Sequence, residues 1–411
     1  MKIMIPILAL VLAAGAVPAS AWGSPEHKAL GDGAWTKALA DLDKEKEGTS
    51  ARLLALLGRA GGAEANPDEP IVAQVDHQPP FATFSLGDMV AIYGDWVLKP
   101  EDVNDAAFSS RAASLKQIVS GQKEPSKEEF DYMVKLASNN YTHFSAEAVE
   151  AYSTWHSQAL EYAKDPGTLQ LAMHFEAAAL HSFTDLFAFG HMMEDRELTK
   201  AVVAWAEKSQ NAFAQVAAGK GALVTGAMAN FYHNAYNTRG ANVRSLAGET
   251  WFATGDDRLE GPGAGGHKGP EMSLPVAGLS AFAGLAGSMS QAGGGGSQDA
   301  PGEGQKAQVV MAAAESLGEV LRVALGEPLP PGGKFAAMNH LPVVYWNYYV
   351  PVAPKDQIPN LLVLIPAQAK VGRPIQEHGF DFTLGILKFK PEATAEAKVK
   401  YYDKVKKLVT P

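Results

Sequence analysis

The sequence contains no cysteine. Disulfide bonds and thiolate metal sites are therefore excluded, so an exported form of this chain must be held together by packing or by metal ions with other ligands. The ligand types that remain are histidine, carboxylate and backbone oxygen, which suit zinc and other borderline cations.

Positive charge is also scarce, because 35 Lys and Arg residues stand against 45 Asp and Glu residues and the net charge is −10. A negatively charged surface repels polyanions, which argues against double-stranded nucleic acid as a partner. It leaves room for a phosphodiester substrate at a local cationic site. Beyond the first 21 residues there is no apolar run of the roughly 20 residues that a membrane-spanning helix needs, so we predict no span in the mature chain.

The first 21 residues have the pattern of a secretory signal peptide. Lys2 precedes the apolar stretch Ile3–Ala13, and the small residues Ala19-Ser20-Ala21 form a cleavage site. We therefore expect cleavage after Ala21, a mature chain that begins at Trp22, and a secreted or periplasmic protein of a bacterium. The alternative is an uncleaved anchor or a buried N-terminal helix.

Apolar residues at three- and four-residue spacing predict helices through most of residues 22–257. The clearest segments are Ala112–Val119, Glu128–Ser138, Ala146–Ala163, Thr168–Phe189 and Leu198–Ala217. Residues 261–306 are rich in glycine and predict a loop or linker. A helical pattern returns at Gln305–Leu325.

After Pro328 the pattern favours strands and then a lysine-rich terminal helix. The strand-like segments are Val343–Val352, Leu361–Ile365 and Phe380–Phe389, and the terminal helix is Glu392–Val409. The predicted fold class is therefore mainly α: a helical domain over residues 22–327 and a smaller β-rich region over residues 328–411.

Two histidine motifs carry the chemistry. His181 and Asp185 are four residues apart and share a helix face, and His191 follows just after the predicted helix end. His233 and Asn237 repeat the four-residue spacing. A histidine and an aspartate buried among apolar residues need partners, which a metal ion would supply. A buried His–Asp hydrogen bond in a helical core is the structural alternative.

The order of these motifs resembles a known superfamily. An N-terminal Trp22 with His27 five residues on, then Asp95, His143, H-x3-D-x5-H and H-x3-N, is similar to bacterial zinc-dependent phospholipases C and to fungal single-strand-specific nucleases. The resemblance covers about residues 22–257. It implies an all-helical domain that holds three zinc ions in one cleft.

The resemblance also implies the ligands of each zinc ion. The first set is Asp95, His143, His181 and Asp185. The second is the amine and carbonyl of Trp22, His27, and Asp185 shared with the first. The third is His191, His233 and residue 237.

Position 237 departs from the family pattern, because the family usually has a carboxylate there and this chain has Asn237. An amide is a weaker ligand, so the third site is expected to bind less tightly or to take Asp256 or Asp257 instead. Asp88 is a rival for the role of Asp95. We prefer Asp95 because Trp96 follows it, as an aromatic residue does in the family's phospholipases.

The expected function is an exported zinc-dependent phospholipase C that acts at a membrane or micelle surface. It would hydrolyse glycerophospholipids such as phosphatidylcholine to diacylglycerol and a phosphorylated head group, by attack of a zinc-bound hydroxide. Asp95 would accept a proton from the attacking water and Asp185 would bridge two metals. Trp96 and Glu26 would meet a choline head group, Trp96 by cation–π attraction.

Two other functions stay open. The short sequence spacing between Trp22 and His27 favours a single-strand-specific nuclease of the same superfamily. The neutral Asn237 favours a non-catalytic zinc-binding protein.

Overall fold

The computed structural model describes residues 23–57, 84–104, 108, 110–137, 141–193, 237, 240–255, 259, 303–328 and 335–346. Helix predominates in these residues, which confirms a mainly α fold for this part of the chain. The helices are α1 (Ser24–Glu45), α2 (Thr49–Leu56), α3 (Leu86–Ile92), α4 (Ala112–Val119), α5 (Lys127–Ala137), α6 (Ser145–Ala163), α7 (Leu169–Asp185), α8 (Phe189–Met193) and α9 (Glu303–Ala324). Short 3-10 helices lie at Pro100–Asn104, Pro166–Thr168 and Ala336–His340.

Helix α7 is the centre of the described bundle. It packs against α6, α3 and α9, and all its residues from 172 to 185 are buried. A helix that is surrounded on all sides is expected to be apolar all round, and the run Ala177-Ala178-Ala179 allows neighbouring helices to approach closely. The polar residues that this helix nevertheless carries are therefore placed deep inside the protein.

Two glycines bring α1 and α3 into close contact. A Cβ on Gly87 would lie 2.2 Å from the carbonyl oxygen of Lys28, and one on Gly31 would lie 2.7 Å from the Cα of Gly87. Larger residues would force the two helices apart. The contact fixes the turn that follows α3 beside the first turns of α1.

A buried polar network joins α6, α7 and α9. His156 Nδ1 lies 2.7 Å from a carboxylate oxygen of Glu176, and its Nε2 lies 3.0 Å from one of Glu319. Ser316 donates a further hydrogen bond to Glu176 at 2.7 Å. Burial alone would lower the pKa of His156, but the two carboxylates outweigh burial and raise it to about 9. The imidazole is therefore a buried cation that ties three helices together.

The strands within the described ranges form an antiparallel sheet with the order β2-β1-β3. Strand β1 is Ala241–Ser245, β2 is Thr250–Ala253 and β3 is Pro342–Trp346. The β1–β2 hairpin was not expected from the sequence, which was interpreted as mostly helical up to residue 257. Strand β3 agrees with the start of the predicted strand Val343–Val352, and it pairs with β1 across the domain boundary predicted at residue 328.

Gln305 connects this sheet to the end of α7. Its side-chain oxygen accepts a hydrogen bond from the backbone N–H of Thr254 at 3.0 Å, and its amide group donates to the carbonyl of Phe187 at 2.9 Å. The side chain is only 1% exposed, so these partners have little access to water.

The helix limits follow the sequence patterns closely, with one informative difference. The segment Thr168–Phe189 was predicted as one helix, but α7 ends at Asp185 and α8 begins at Phe189. None of the helices in the described ranges is long and apolar enough to cross a membrane. Outside the described residues lie the signal segment, the predicted helix Leu198–Ala217, most of the glycine-rich linker and everything after residue 346.

Candidate metal centre

Asp185 lies at the C-terminal end of α7 and is completely buried. Four imidazole nitrogens approach its carboxylate: His143 Nδ1 at 2.8 Å, His27 Nε2 at 3.2 Å, His181 Nε2 at 3.4 Å and His191 Nδ1 at 3.6 Å. These residues together with Asp95 are called the Asp185 cluster below. The cluster draws its members from α1, α7, α8 and the segments that precede α6 and follow α3.

Three overlapping groups within the cluster have the geometry to hold a metal ion. In each group the candidate ligand atoms lie within 4.8 Å of one another. The groups are His27, His181 and Asp185; Asp95, His143 and His181; and His143, Asp185 and His191. The shared members place the candidate ion positions side by side around Asp185.

Hydrogen bonds to the backbone fix the orientation of two imidazoles. His181 donates from Nδ1 to the carbonyl of Val90 at 2.7 Å, and His191 donates from Nδ1 to the carbonyl of His143 at 2.7 Å. A carbonyl can only accept, so in both rings the proton is on Nδ1 and the lone pair is on Nε2. In His181 this lone pair is on the nitrogen that lies near Asp185, whereas in His191 the nitrogen near Asp185 is the protonated Nδ1. Partners of this kind orient histidine ligands in metal sites.

The hydroxyl of a threonine orients the imidazole of His27. The hydroxyl of Thr184 donates to the carbonyl of His181 at 3.0 Å, and the hydroxyl oxygen lies 3.2 Å from His27 Nδ1. Because the hydroxyl proton is used on the carbonyl, His27 donates to the hydroxyl oxygen. Its Nε2, which lies on the Asp185 side, is then the ligand atom.

The charges in the cluster suit cation binding. Burial alone would raise the pKa of Asp185, but the surrounding imidazoles outweigh burial and hold it well below its usual value. Burial, together with the charge of His27, lowers the pKa of His181 well below its usual value. Asp185 is therefore an anion and His181 is neutral, which are the forms that bind metals. Burial alone would lower the pKa of His27, but the neighbouring Asp185 outweighs burial and raises it, so His27 must release a proton before it can bind a metal.

Among the described residues, the carboxylate of Asp185 has four imidazoles close to it but no hydrogen bond of good geometry. An ionised carboxylate buried without hydrogen bonds is costly. A cation between the carboxylate and the imidazoles would remove this cost, so the residues present fit a metal ion better than a buried His–Asp hydrogen bond.

Gly94 leaves the space that the imidazoles occupy. Its φ angle is +87°, and a Cβ at this position would lie 2.3 Å from Nε2 of both His143 and His181. Only glycine satisfies both conditions, the left-handed backbone and the missing side chain. The sequence singled out the aspartate that follows it but not this glycine.

Asp95 and its rival Asp88 have different surroundings. Asp95 belongs to one of the three metal-binding groups and accepts a hydrogen bond from the hydroxyl of Ser24 at 2.9 Å. Asp88 lies in the first turn of α3, where it accepts from the backbone N–H of Ser85 and pairs with Lys28 at 3.1 Å. The geometry therefore favours Asp95 as the ligand.

The two residues predicted to meet a choline head group have other partners. Trp96 is only 2% exposed, and its indole N–H donates to the hydroxyl of Ser24 at 3.4 Å. Glu26 accepts hydrogen bonds from the backbone N–H groups of Gly23 and Leu259 at 2.8 and 3.1 Å. Both side chains are used in holding the start of α1, and neither placement adds support for head-group recognition.

Asn237 is buried, and its side chain contacts the residue that precedes His191. Its side-chain oxygen accepts a hydrogen bond from the backbone N–H of Gly190 at 2.6 Å. Trp22, His233, Asp256 and Asp257 lie outside the described residues, so the predicted third ligand set and the N-terminal amine ligand stay predictions.

Comparison with known proteins adds no family assignment. No protein-family model matches the chain, and neither a curated protein nor a solved structure matches it. The resemblance to zinc-dependent phospholipases C and single-strand-specific nucleases therefore rests on the residue pattern, and the function drawn from it is a proposal.

Proposed function

We propose that the chain is an exported zinc-dependent phosphodiesterase, and specifically a phospholipase C that converts glycerophospholipids into diacylglycerol and a phosphorylated head group. The observation that carries the proposal is the buried Asp185, surrounded by four imidazole nitrogens with no hydrogen-bond geometry to any of them. A carboxylate in this setting is suited to bridge two cations.

Zinc is the metal that best fits the donor set. The cluster offers imidazole nitrogen and carboxylate oxygen without thiolate, which is typical of hydrolytic zinc sites. Zinc, when bound, lowers the pKa of a coordinated water towards neutrality and neutralises the oxygens of a phosphodiester.

The protein residues have separate tasks in this proposal. Asp185 would be a ligand shared between metal ions, and the carbonyls of Val90 and His143 orient the rings of His181 and His191. Asp95 is half-buried at the edge of the cluster, where it can accept a proton from the attacking water. Burial raises the pKa of Asp95 above its usual value, which favours such a transfer.

A single-strand-specific nuclease is the second candidate. Two observations favour it: the short spacing from Trp22 to His27, and the burial of Trp96, which removes one argument for a choline-binding wall. The acidic net charge argues against it.

The test uses the processed chain, beginning at Trp22 and loaded with zinc. We expect it to release phosphocholine from phosphatidylcholine micelles, to lose this activity with a chelator and to regain it with zinc. Asp95→Asn should lose the activity, and Asp41→Asn, which changes an aspartate on the outside of α1, should keep it. Degradation of single-stranded DNA without lipid turnover would assign the nuclease function instead, and stoichiometric zinc without turnover of either substrate would refute a hydrolase.

The N-terminal ligand has its own control. A mature chain with one alanine inserted before Trp22 moves the amine away from the cluster. We expect it to lose activity on every substrate, and full activity would show that the amine is not a ligand.

A further inference from the structure

Ser24 connects the beginning of α1 to the candidate metal ligand Asp95. Its hydroxyl oxygen lies 2.9 Å from a carboxylate oxygen of Asp95 and accepts the indole N–H of Trp96 at 3.4 Å. A hydroxyl has one proton to donate, and here Asp95 receives it because an indole nitrogen only donates. The hydrogen bonds therefore run in one direction, from Trp96 to Ser24 to Asp95.

Asp95 needs such a restraint because of its position. It follows Gly94 in the turn after α3, outside any helix or strand, and its side chain is half-buried. Without a fixed partner a carboxylate in a turn samples several rotamers. A ligand that must be ordered at the moment of binding costs affinity.

We propose that Ser24 is a positioning residue that holds Asp95 in the orientation required for metal binding, with Trp96 fixing the serine hydroxyl in turn. The proposal rests on the proposed metal centre and assigns Trp96 to this chain of hydrogen bonds rather than to substrate recognition. It also gives the first turn of α1 two functions, since His27, three residues after Ser24, contacts Asp185. Ser24 is two residues from the predicted N-terminal amine, so processing and the orientation of Asp95 involve the same short segment.

The expected magnitude follows from the behaviour of residues that orient metal ligands. Loss of such a partner lowers metal affinity by roughly 10–100-fold. The loss of affinity should affect the zinc ion proposed to bind Asp95, His143 and His181. The affinities for the other proposed zinc ions should stay close to their wild-type values.

The experiment measures zinc affinity by competition with a chromophoric chelator and zinc content by elemental analysis. Ser24→Ala should lower the affinity for one zinc ion by roughly 10–100-fold. Ser24→Thr, which keeps the hydroxyl, should retain the wild-type affinity. Ser153→Ala is the matched control, because that serine donates only to a carbonyl of its own helix, that of Val149, and we expect wild-type zinc binding. Should Ser24→Ala fail to fold, Ser24→Thr and Ser24→Val differ by the hydroxyl at nearly constant shape and give the same comparison.

A double-mutant cycle separates positioning from general stabilisation. If Ser24 acts through Asp95, Ser24→Ala should have no further effect on zinc affinity in an Asp95→Asn background. Additive effects, or wild-type zinc affinity in Ser24→Ala, would overturn the proposal. Because the readout is zinc binding, an inactive wild-type protein that binds zinc and shows the predicted cycle would refute the phosphodiesterase and leave the role of Ser24 intact.

Discussion

Replacing Gly94 by alanine tests the metal centre with a single methyl group. The new Cβ would lie 2.3 Å from Nε2 of both His143 and His181. Both rings would have to retreat by about 1 Å to reach ordinary van der Waals contact at 3.4 Å. His181 has little freedom to do so, because its other nitrogen donates to the carbonyl of Val90 at 2.7 Å.

Gly48 provides a matched control for the backbone strain that Gly94→Ala introduces. Gly48 has a similar φ angle of +80°, but a Cβ there meets nothing within 4 Å. Gly48→Ala should therefore cost only the left-handed backbone strain, about 1–2 kcal/mol, with zinc binding unchanged. Gly94→Ala should show at least the same loss of stability.

The difference between the two variants reports on the imidazoles. Metal–ligand distances tolerate changes of only about 0.2 Å, so a displacement of about 1 Å in two ligands should lower zinc affinity by at least about 100-fold, or about 2.7 kcal/mol. Urea unfolding of the zinc-free proteins measures the loss of stability, and chelator competition measures the loss of zinc affinity. Wild-type zinc affinity in Gly94→Ala would refute the assignment of His143 and His181 as ligands.

Three further predictions concern other parts of the fold. The raised pKa of His156 stabilises the folded state fully below about pH 6.5, and this contribution of about 3 kcal/mol should be lost as the pH rises through about 9. Urea unfolding between pH 6 and 10 should therefore show a steeper loss of stability with rising pH in the wild type than in His156→Gln, and equal slopes would contradict the prediction. Asn237→Asp adds charge beside His191 and should raise zinc content or affinity; unchanged values would contradict the view that the neutral amide weakens a third site. Gln305→Leu leaves buried backbone groups without partners and should lower the free energy of unfolding by at least about 2 kcal/mol. A loss below about 0.5 kcal/mol, the size typical of a surface substitution, would show that these hydrogen bonds do not stabilise the fold.

Local spacing predicted the centre of the site well. His181 and Asp185 are four residues apart on a helix, so their proximity follows from helix geometry alone. The predicted helices in the described ranges are present for the same reason, because apolar spacing is a local property. His191 joins the cluster because α7 ends at Asp185, and the sequence predicted a helix that continued to Phe189.

Contacts between distant segments were harder to predict. Nothing in the sequence alone distinguishes the surroundings of Asp88 from those of Asp95, since the difference depends on Lys28 and Ser24 from another helix. The same holds for Gly94, whose importance appears only when His143 and His181 lie against it. The β1–β2 hairpin was missed because its strands are four and five residues long and too short for a clear alternation.

The absence of cysteine gives the Asp185 cluster a role in stability as well as in chemistry. An exported chain without disulfides, as proposed for this protein, can gain stability from metal ions bound at buried carboxylates and imidazoles. Binding of zinc only to the folded state adds RT ln(1 + [Zn]/Kd) to the free energy of unfolding, about 4 kcal/mol at a thousandfold excess over Kd. Because the candidate ligands come from segments that are far apart in the sequence, from α1 to α8, the same ions would cross-link these segments as disulfides do in many exported proteins. The residues that would make the protein active once zinc is bound are therefore also the ones that would stabilise its fold.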